Sequence, residues 1–360
     1  MPPLQIEEFL NLWAFELIYG FSTLVALYWL ILGLAWWWKA NLPRPKGSAS
    51  PFSLLVATSR PAEVLAGLLE ELSKWPAKGN WEIVLAVGRP LSEYKPLMQR
   101  WGERLPLRWV EATPTPPGWS PKKYALWRAC AAAQYDWCLL RDDDTWGRAP
   151  WLAQMQKALQ APYEAIIAPA WLVPQGTLAG WLAAYEAALV QVEALGRAAL
   201  GFPYMATGRG WAVRRKWLAL ALYRWRGELS GDDDLTLQLI PPQWVGLSPA
   251  CTFSAAPPTF LQAIRRKWRH LQTARHYPWG LRLSLGFFPF LQVAALLLLP
   301  WAPSASVALL FPPLAKSLAL RLFQAPLGWL VILLDWPLVL LQGTYLVGAQ
   351  LRKTTWCIFA

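Results

Sequence analysis

Two runs of three consecutive aspartates, Asp142-Asp143-Asp144 and Asp232-Asp233-Asp234, are the residues of this chain best suited to chemistry. Aspartate is otherwise scarce: of eight in 360 residues, only Asp136 and Asp335 lie outside the two runs. A single acidic run is ordinarily a solvated loop. Two runs ninety positions apart in an Asp-poor chain make that reading the weaker one. Asp142 and Asp144 are two positions apart, so near a strand end their carboxylates point to the same side. Such a pair can hold a divalent cation in part, as Mg²⁺ is typically held, and leave positions for phosphate oxygens and water. A cation placed there neutralises charge developing on a departing diphosphate, which suits a nucleotide-sugar donor.

The second run lies in Ser230-Gly231-Asp232-Asp233-Asp234-Leu235. A carboxylate crowded by like charges has a raised pKa, which moves it toward a useful value for taking a proton from an acceptor hydroxyl. A second metal site competes with this reading. So does a structural one, in which the run caps a helix over Asp232–Ile240. A third feature is Gln262–Arg275, where Arg266 and Arg269 share a helical face and Trp268 and Leu271 are interleaved. Paired guanidiniums suit a diphosphate. A juxtamembrane basic helix resting on anionic lipid fits the segment equally well.

The elements that must position these groups alternate in type. Phe52–Thr58, Glu82–Val87, Leu107–Glu111 and the short Trp137–Leu140 read as strands, with helices over Pro61–Lys74 and Lys122–Gln134 between them. This alternation predicts an α/β layer with a mainly parallel sheet. Ligand sites in such sheets lie at the carboxyl ends of strands, where Asp142 falls.

Apolar sequence flanks this region. Leu12 to Trp38 is broken only by Glu16 and exceeds the roughly 20 residues needed to span a bilayer. Its acidic N-terminal flank (Glu7, Glu8) and its closing Trp36-Trp37-Trp38-Lys39 argue for an anchor over a signal peptide. Asn41–Pro51 reads as a linker. Leu283–Trp301 and Leu327–Val347 are two further spans. Ser304–Phe323 between them is open to a third crossing, a re-entrant piece or an interfacial helix. The chain is 55% hydrophobic and only 16% charged, more apolar than an ordinary soluble domain.

The net charge of +12 arises in part beside the apolar segments, at Lys39, Arg44 and Lys46 and again at Arg265, Arg266, Lys267, Arg269 and Arg275. That placement follows the positive-inside rule and argues against nucleic acid as the partner. Four isolated cysteines suit a reducing compartment, and only two histidines make a His-based zinc site improbable.

Taken in order, these residues resemble the family 2 glycosyltransferases over roughly Pro51 to Tyr277. Lys122-Lys123-Tyr124-Ala125-Leu126 resembles the family's Lys-x-x-Ala-Leu helix, and Leu140-Arg141-Asp142-Asp143-Asp144-Thr145 its DxD step. Gly201-Phe202-Pro203-Tyr204-Met205 through Thr207-Gly208-Arg209-Gly210, then Ser230–Leu235, resemble a bacterial membrane-bound subgroup carrying GMPYMxxGR and SGDDDL. Arg266-Lys267-Trp268-Arg269-His270 resembles that subgroup's QKxRH.

The resemblance implies a GT-A fold, a Rossmann-like α/β domain, with membrane helices on both sides. It implies a nucleotide-sugar donor, expected to be a UDP-sugar, Mg²⁺ or Mn²⁺ at Asp142 and Asp144, and inverting transfer by a single displacement. Lys122, Arg266, Arg269 and His270 would face the donor diphosphate, and Gly208 and Arg209 the acceptor. Asp232 aligns with the family's base, and Asp233 is the alternative because three adjacent aspartates leave the register open. Two turns depart from the pattern. The family's VDDGS-like turn reads Ala86-Val87-Gly88-Arg89-Pro90, and its Asn-Glu at the first strand's end reads Ser59-Arg60-Pro61.

The expected organisation is an anchor and linker over 1–50, a catalytic domain over 51–258, an Arg-rich interfacial helix over 259–280 and a membrane region over 281–360. The expected function is transfer of a sugar to a lipid or lipid-linked hydroxyl at the cytoplasmic face of the cell membrane. A processive polysaccharide synthase and a non-catalytic membrane scaffold are the alternatives.

Overall fold

The structure, a computed structural model, describes residues 3–42, 50–74, 80–147, 151–159, 162–327 and 329–341. The chain forms two compact units. One combines Trp38–Val173 with Arg197–Ala256. The other combines Met1–Trp37, Pro174–Gly196 and Pro257–Ala360. Pro174–Gly196, which the sequence places in the α/β region, therefore groups with the apolar helices.

In chain order the helices are α1 (Pro3–Asn41), α2 (Ala62–Ser73), α3 (Lys95–Trp101), α4 (Pro121–Ala132), α5 (Trp151–Ala158), α6 (Leu178–Ala199), α7 (Arg215–Arg224), the single turn α8 (Asp234–Leu237), α9 (Phe260–Ala274), α10 (Trp279–Leu298) and α11 (Phe311–Leu322). The strands are β1 (Phe52–Thr58), β2 (Trp81–Val87), β3 (Leu107–Glu111), β4 (Trp137–Leu140), β5 (Thr145–Gly147), β6 (Ala165–Ile167), β7 (Ala170–Val173), β8 (Trp211–Arg214), β9 (Val245–Leu247) and β10 (Thr252–Ala255).

The α/β unit is built on a seven-stranded sheet in the order β3-β2-β1-β4-β8-β6-β9, with a three-stranded sheet β5-β10-β7 beside it. β3, β2, β1 and β4 run parallel, as the alternating pattern predicts. β8 enters antiparallel to both β4 and β6. The central strands are apolar along nearly their whole length because both faces are covered. Leu54, Leu55, Ile83, Val84 and Leu139 are fully buried, and Leu55 pairs with both Val84 and Leu140. Parallel pairing brings the carboxyl ends of β1 and β4 to one edge of the sheet. The chain leaves β4 there as Arg141-Asp142-Asp143-Asp144.

A buried arginine fixes the exit of that loop. Arg141 has no exposed side-chain surface and lies 2.6 Å from Glu71 of α2. Its Nε also donates to the Thr145 hydroxyl at 3.1 Å. Glu71 accepts the Gly147 amide at 2.9 Å through its other oxygen, so one carboxylate holds both ends of the aspartate loop.

In the helical unit, helices approach closely at small residues, as apolar bundles commonly do. A Cβ on Gly33 of α1 would lie 3.1 Å from the Ala319 Cα of α11, and one on Gly196 of α6 would lie 2.7 Å from the Leu32 Cβ of α1. Tyr28 stacks on Phe288, and Trp36 on Phe323. Large apolar side chains remain on the surface, including Trp13, Leu34, Leu283, Phe290 and Leu297.

Among the described residues, three segments are long and apolar enough to cross a membrane: Glu8–Asn41, Trp279–Trp301 and Pro303–Leu322. The third is the segment whose sequence left three possibilities open. It begins as a 3₁₀ stretch, Pro303–Leu310, and continues as α11. The expected span Leu327–Val347 lies partly outside the described residues, and within them Ile332–Leu341 forms a shorter apolar helix. Most of the linker, with Arg44 and Lys46, also lies outside them.

Breaking a buried ion pair by removing one partner leaves an uncompensated charge. Arg141→Met should therefore destabilise the protein by about 2–3 kcal/mol, a lowering of the melting temperature by roughly 5–10 °C. Glu71→Gln should do the same. Melting in detergent checks this, and a shift of less than about 2 °C in both variants would mean that the pair does not hold the loop.

Candidate active site

Lys122, the second residue of α4, reaches between the two aspartate runs. Its Nζ lies 3.0 Å from Asp142 Oδ1 and 3.2 Å from Asp232 Oδ2. Two features place it there. Pro121 opens α4 at a position where a missing N–H costs nothing. Next to it, buried Lys123 donates to the Trp225 carbonyl at 2.9 Å, which ties the start of α4 to the segment leading into the second run. Burial opposes the Lys122 ammonium, but Asp142, Asp232 and Asp233 outweigh that cost and hold its pKa above the ordinary lysine range.

Gly208 lies against the same group. A Cβ on it would be 3.5 Å from Lys122 Nζ and 3.6 Å from both Asp142 Oδ1 and Asp232 Oδ2. Its amide donates to Asp233 Oδ2 at 2.7 Å. Arg209 is buried and donates to the Ser254 hydroxyl of β10 at 3.0 Å.

The three residues of the second run differ in their bonding. Asp233 accepts backbone amides on both oxygens, from Asp234 at 2.9 Å and from Gly208. Burial first, and then Asp232, push its pKa up to about 6, against the opposing effects of Lys122 and the two amides. Asp232 is buried, and its Oδ2 meets Lys122 as an ion pair without a directed hydrogen bond. Asp234 begins α8 and is buried. The expected helix over Asp232–Ile240 is shortened to Asp234–Leu237. Its cap is Asp233, so the capping reading holds for one of the three aspartates.

The first run divides in a similar way. Asp142 faces Lys122. Asp143 accepts the Thr58 hydroxyl from the end of β1 and pairs with Arg60 Nε at 3.2 Å, and half-exposed Asp144 pairs with Arg60 Nη2 at 3.0 Å. Burial raises the Asp143 pKa, and Thr58 and Arg60 oppose that rise. The sequence shows Arg60 only as a departure from a family pattern. Its position at the carboxyl end of β1, the edge where β4 releases the aspartates, was the signal for a role in the site.

Arg266, Arg269 and His270 lie on α9 of the helical unit, with Arg269 and His270 exposed. The cluster described above is formed by the α/β unit alone. Among the described residues no group of three or more His, Cys, Asp or Glu side chains is placed to enclose a metal ion. A cation that takes one or two protein carboxylates and fills its other positions with phosphate oxygens and water needs no such group. The expected ligands Asp142 and Asp144 meet Lys122 and Arg60 here.

No protein-family model and no curated protein matches the chain. Among solved structures it is similar to a mannosyltransferase from Pyrobaculum calidifontis in complex with GDP-Man and Mn²⁺, at 18% identity and a TM-score of 0.44, covering 92% of this chain and 95% of that one. It is also similar to glucosyl-3-phosphoglycerate synthase from Mycobacterium tuberculosis in complex with Mn²⁺, UDP and glucosyl-3-phosphoglycerate, at 13% identity and a TM-score of 0.43, covering 67% and 88%. A third is mannosyl-3-phosphoglycerate synthase from Rubrobacter xylanophilus, at 15% identity and a TM-score of 0.41, covering 62% and 72%. Likeness at this level assigns no residue a role.

The cluster carries a pH signature. Asp233 is already raised by burial and by Asp232, and without the opposing Lys122 charge the native state holds its proton still more tightly than the unfolded chain does. Raised native carboxylate pKa values give stability that is fully present below the unfolded value and lost as pH rises through the native one. Lys122→Met should therefore melt at least about 4 °C below wild type at pH 8 and within about 1 °C of it at pH 5. A deficit that grows toward acid pH would sink the assignment.

Proposed function

We propose that this chain is a membrane-bound, inverting glycosyltransferase of the GT-A type that moves a sugar from a nucleotide-sugar donor to a lipid or lipid-linked hydroxyl. One observation carries the reading. Two aspartate runs from distant parts of an Asp-poor chain meet at one lysine, beside the carboxyl edge of a parallel sheet. Asp232 at that lysine is buried, and a merely solvated run would not take a carboxylate out of water, because unpaired buried charge is costly.

Asp142 and Asp144 would hold Mg²⁺ or Mn²⁺, which when bound supplies positive charge against a departing nucleoside diphosphate. Lys122 adds a second positive charge on the same side, and Arg266, Arg269 and His270 are the further candidates for the diphosphate. A UDP-sugar is the expected donor. Gly208 leaves space in front of Asp232 that a side chain would fill, and with Arg209 it borders the acceptor's position.

Asp232 is the base. It takes the acceptor hydroxyl's proton as the oxygen bonds to the sugar's anomeric carbon and the bond to the diphosphate breaks on the opposite face. Asp232 Oδ2 is a buried acceptor with no hydrogen-bond donor, whereas both Asp233 oxygens are committed to backbone amides. Asp233 thus fixes the position of Gly208 and the start of α8, and Asp232 keeps an oxygen for the reaction.

The exposed apolar faces of α1 and α10, and the three segments long enough to cross a bilayer, support membrane attachment and an acceptor presented from lipid. The basic residues beside these segments favour a multi-pass protein of the cell membrane with its α/β unit on the cytoplasmic side. The reading keeps 51–258 for catalysis and 281–360 for the membrane as proposed limits, with Pro174–Gly196 grouped with the apolar helices.

The purified protein in detergent, given Mn²⁺ and a panel of nucleotide sugars, should release nucleoside diphosphate when membrane lipid extract is present. Asp232→Asn should lower release at least about 10³-fold while donor binding stays measurable. Asp142→Ala should abolish release. Loss of release in Asp233→Asn with retention in Asp232→Asn would exchange the two roles. Absence of release from every donor would favour the non-catalytic scaffold, and long polymeric products the processive synthase.

A further inference from the structure

Arg60 occupies one of the two carboxylates assigned to the metal. Its guanidinium forks across two members of the first run, with Nε on Asp143 and Nη2 on Asp144. The surrounding backbone is held on several sides. The Arg60 amide donates to Thr58 Oγ1 at 3.0 Å, its carbonyl accepts the Tyr94 hydroxyl at 2.7 Å, and Arg89 Nε donates to the preceding carbonyl of Ser59 at 2.7 Å. The end of the side chain is not buried: Arg60 is 44% exposed and Asp144 47%.

An ion pair this exposed contributes little to folding. Its importance lies in what must leave when another cation arrives. We propose that Arg60 is a displaceable counter-ion of Asp144 that makes binding of the divalent cation conditional on a nucleoside diphosphate. The proposal rests on the metal reading given under the proposed function.

A divalent ion entering alone must take Asp144 from the guanidinium and then remain beside a freed positive charge. A diphosphate changes both terms. It supplies oxygens to the metal, and it offers the planar guanidinium fork a new bidentate partner. Nε can meanwhile stay on Asp143, so the side chain need only turn about its existing anchor. Metal and nucleotide then strengthen each other's binding, and the coupling is reciprocal. A lysine at this position would neutralise charge without the fork and should couple the two less well.

The test is a titration of the full-length protein in detergent with Mn²⁺, following free Mn²⁺ by electron paramagnetic resonance, with and without UDP or GDP. Wild type should bind Mn²⁺ weakly alone and more tightly with nucleotide. Arg60→Gln should bind Mn²⁺ alone roughly tenfold more tightly than wild type and lose about the same factor of nucleotide enhancement. Arg60→Lys should fall between the two, and tests the same coupling if the Gln variant melts early. Wild type that responds to nucleotide while both variants keep its metal-alone affinity and its enhancement would overturn the role of Arg60 alone. Wild type that takes up no Mn²⁺ with either nucleotide would overturn the metal reading and this proposal with it.

Discussion

The contact of Lys122 with Asp142 and Asp232 is the constraint to which the α/β unit answers. Three carboxylates cannot share so small a space without a cation among them. The cation must come from an element whose start can be fixed to within a fraction of an ångström. The first turn of α4 meets that need, because Pro121 sets its entry and Lys123 anchors it on the Trp225 carbonyl. The parallel pairing of β1 with β4 then sends the first run out at the sheet edge, and the Gly208 amide on Asp233 places the second.

Neither run is a repeat of one function three times. In the first, Asp142 faces the lysine, Asp143 is drawn inward to the Thr58 hydroxyl, and Asp144 points outward to a half-exposed arginine. In the second, Asp233 serves the backbone, Asp234 opens a helical turn and Asp232 retains an oxygen without a hydrogen-bond donor. Two arginines at this edge differ in the same sense. Arg141 is enclosed and paired with Glu71, so its charge belongs to the fold. Arg60 is paired at the surface, so its charge can move.

The strands β1 to β4 were legible because each is an apolar run bounded by turn residues, and covered parallel strands leave that trace. The aspartates were legible through their scarcity elsewhere. The entry of β8 antiparallel between β4 and β6 was not, since strand direction is decided by long-range pairing that four residues, Trp211–Arg214, do not encode. The helix expected through Ile240 stops at Leu237. Pro241 and Pro242 follow and disfavour helical backbone just before them. Arg60 was visible only as an unexpected residue type, because its partners lie more than eighty positions away. The grouping of Pro174–Gly196 with the apolar helices was likewise hidden, since this alanine-rich stretch suits either unit.

Charge balance connects the parts of the site. Asp142 and Asp232 share Lys122, and Asp143 and Asp144 share Arg60. The amides on Asp233 and the hydroxyl on Asp143 hold further carboxylate oxygens within the fold. Under the proposed function a diphosphate and its metal would enter where these two cations already sit. The pairs that order the edge in the free protein would then be the ones the substrate rearranges.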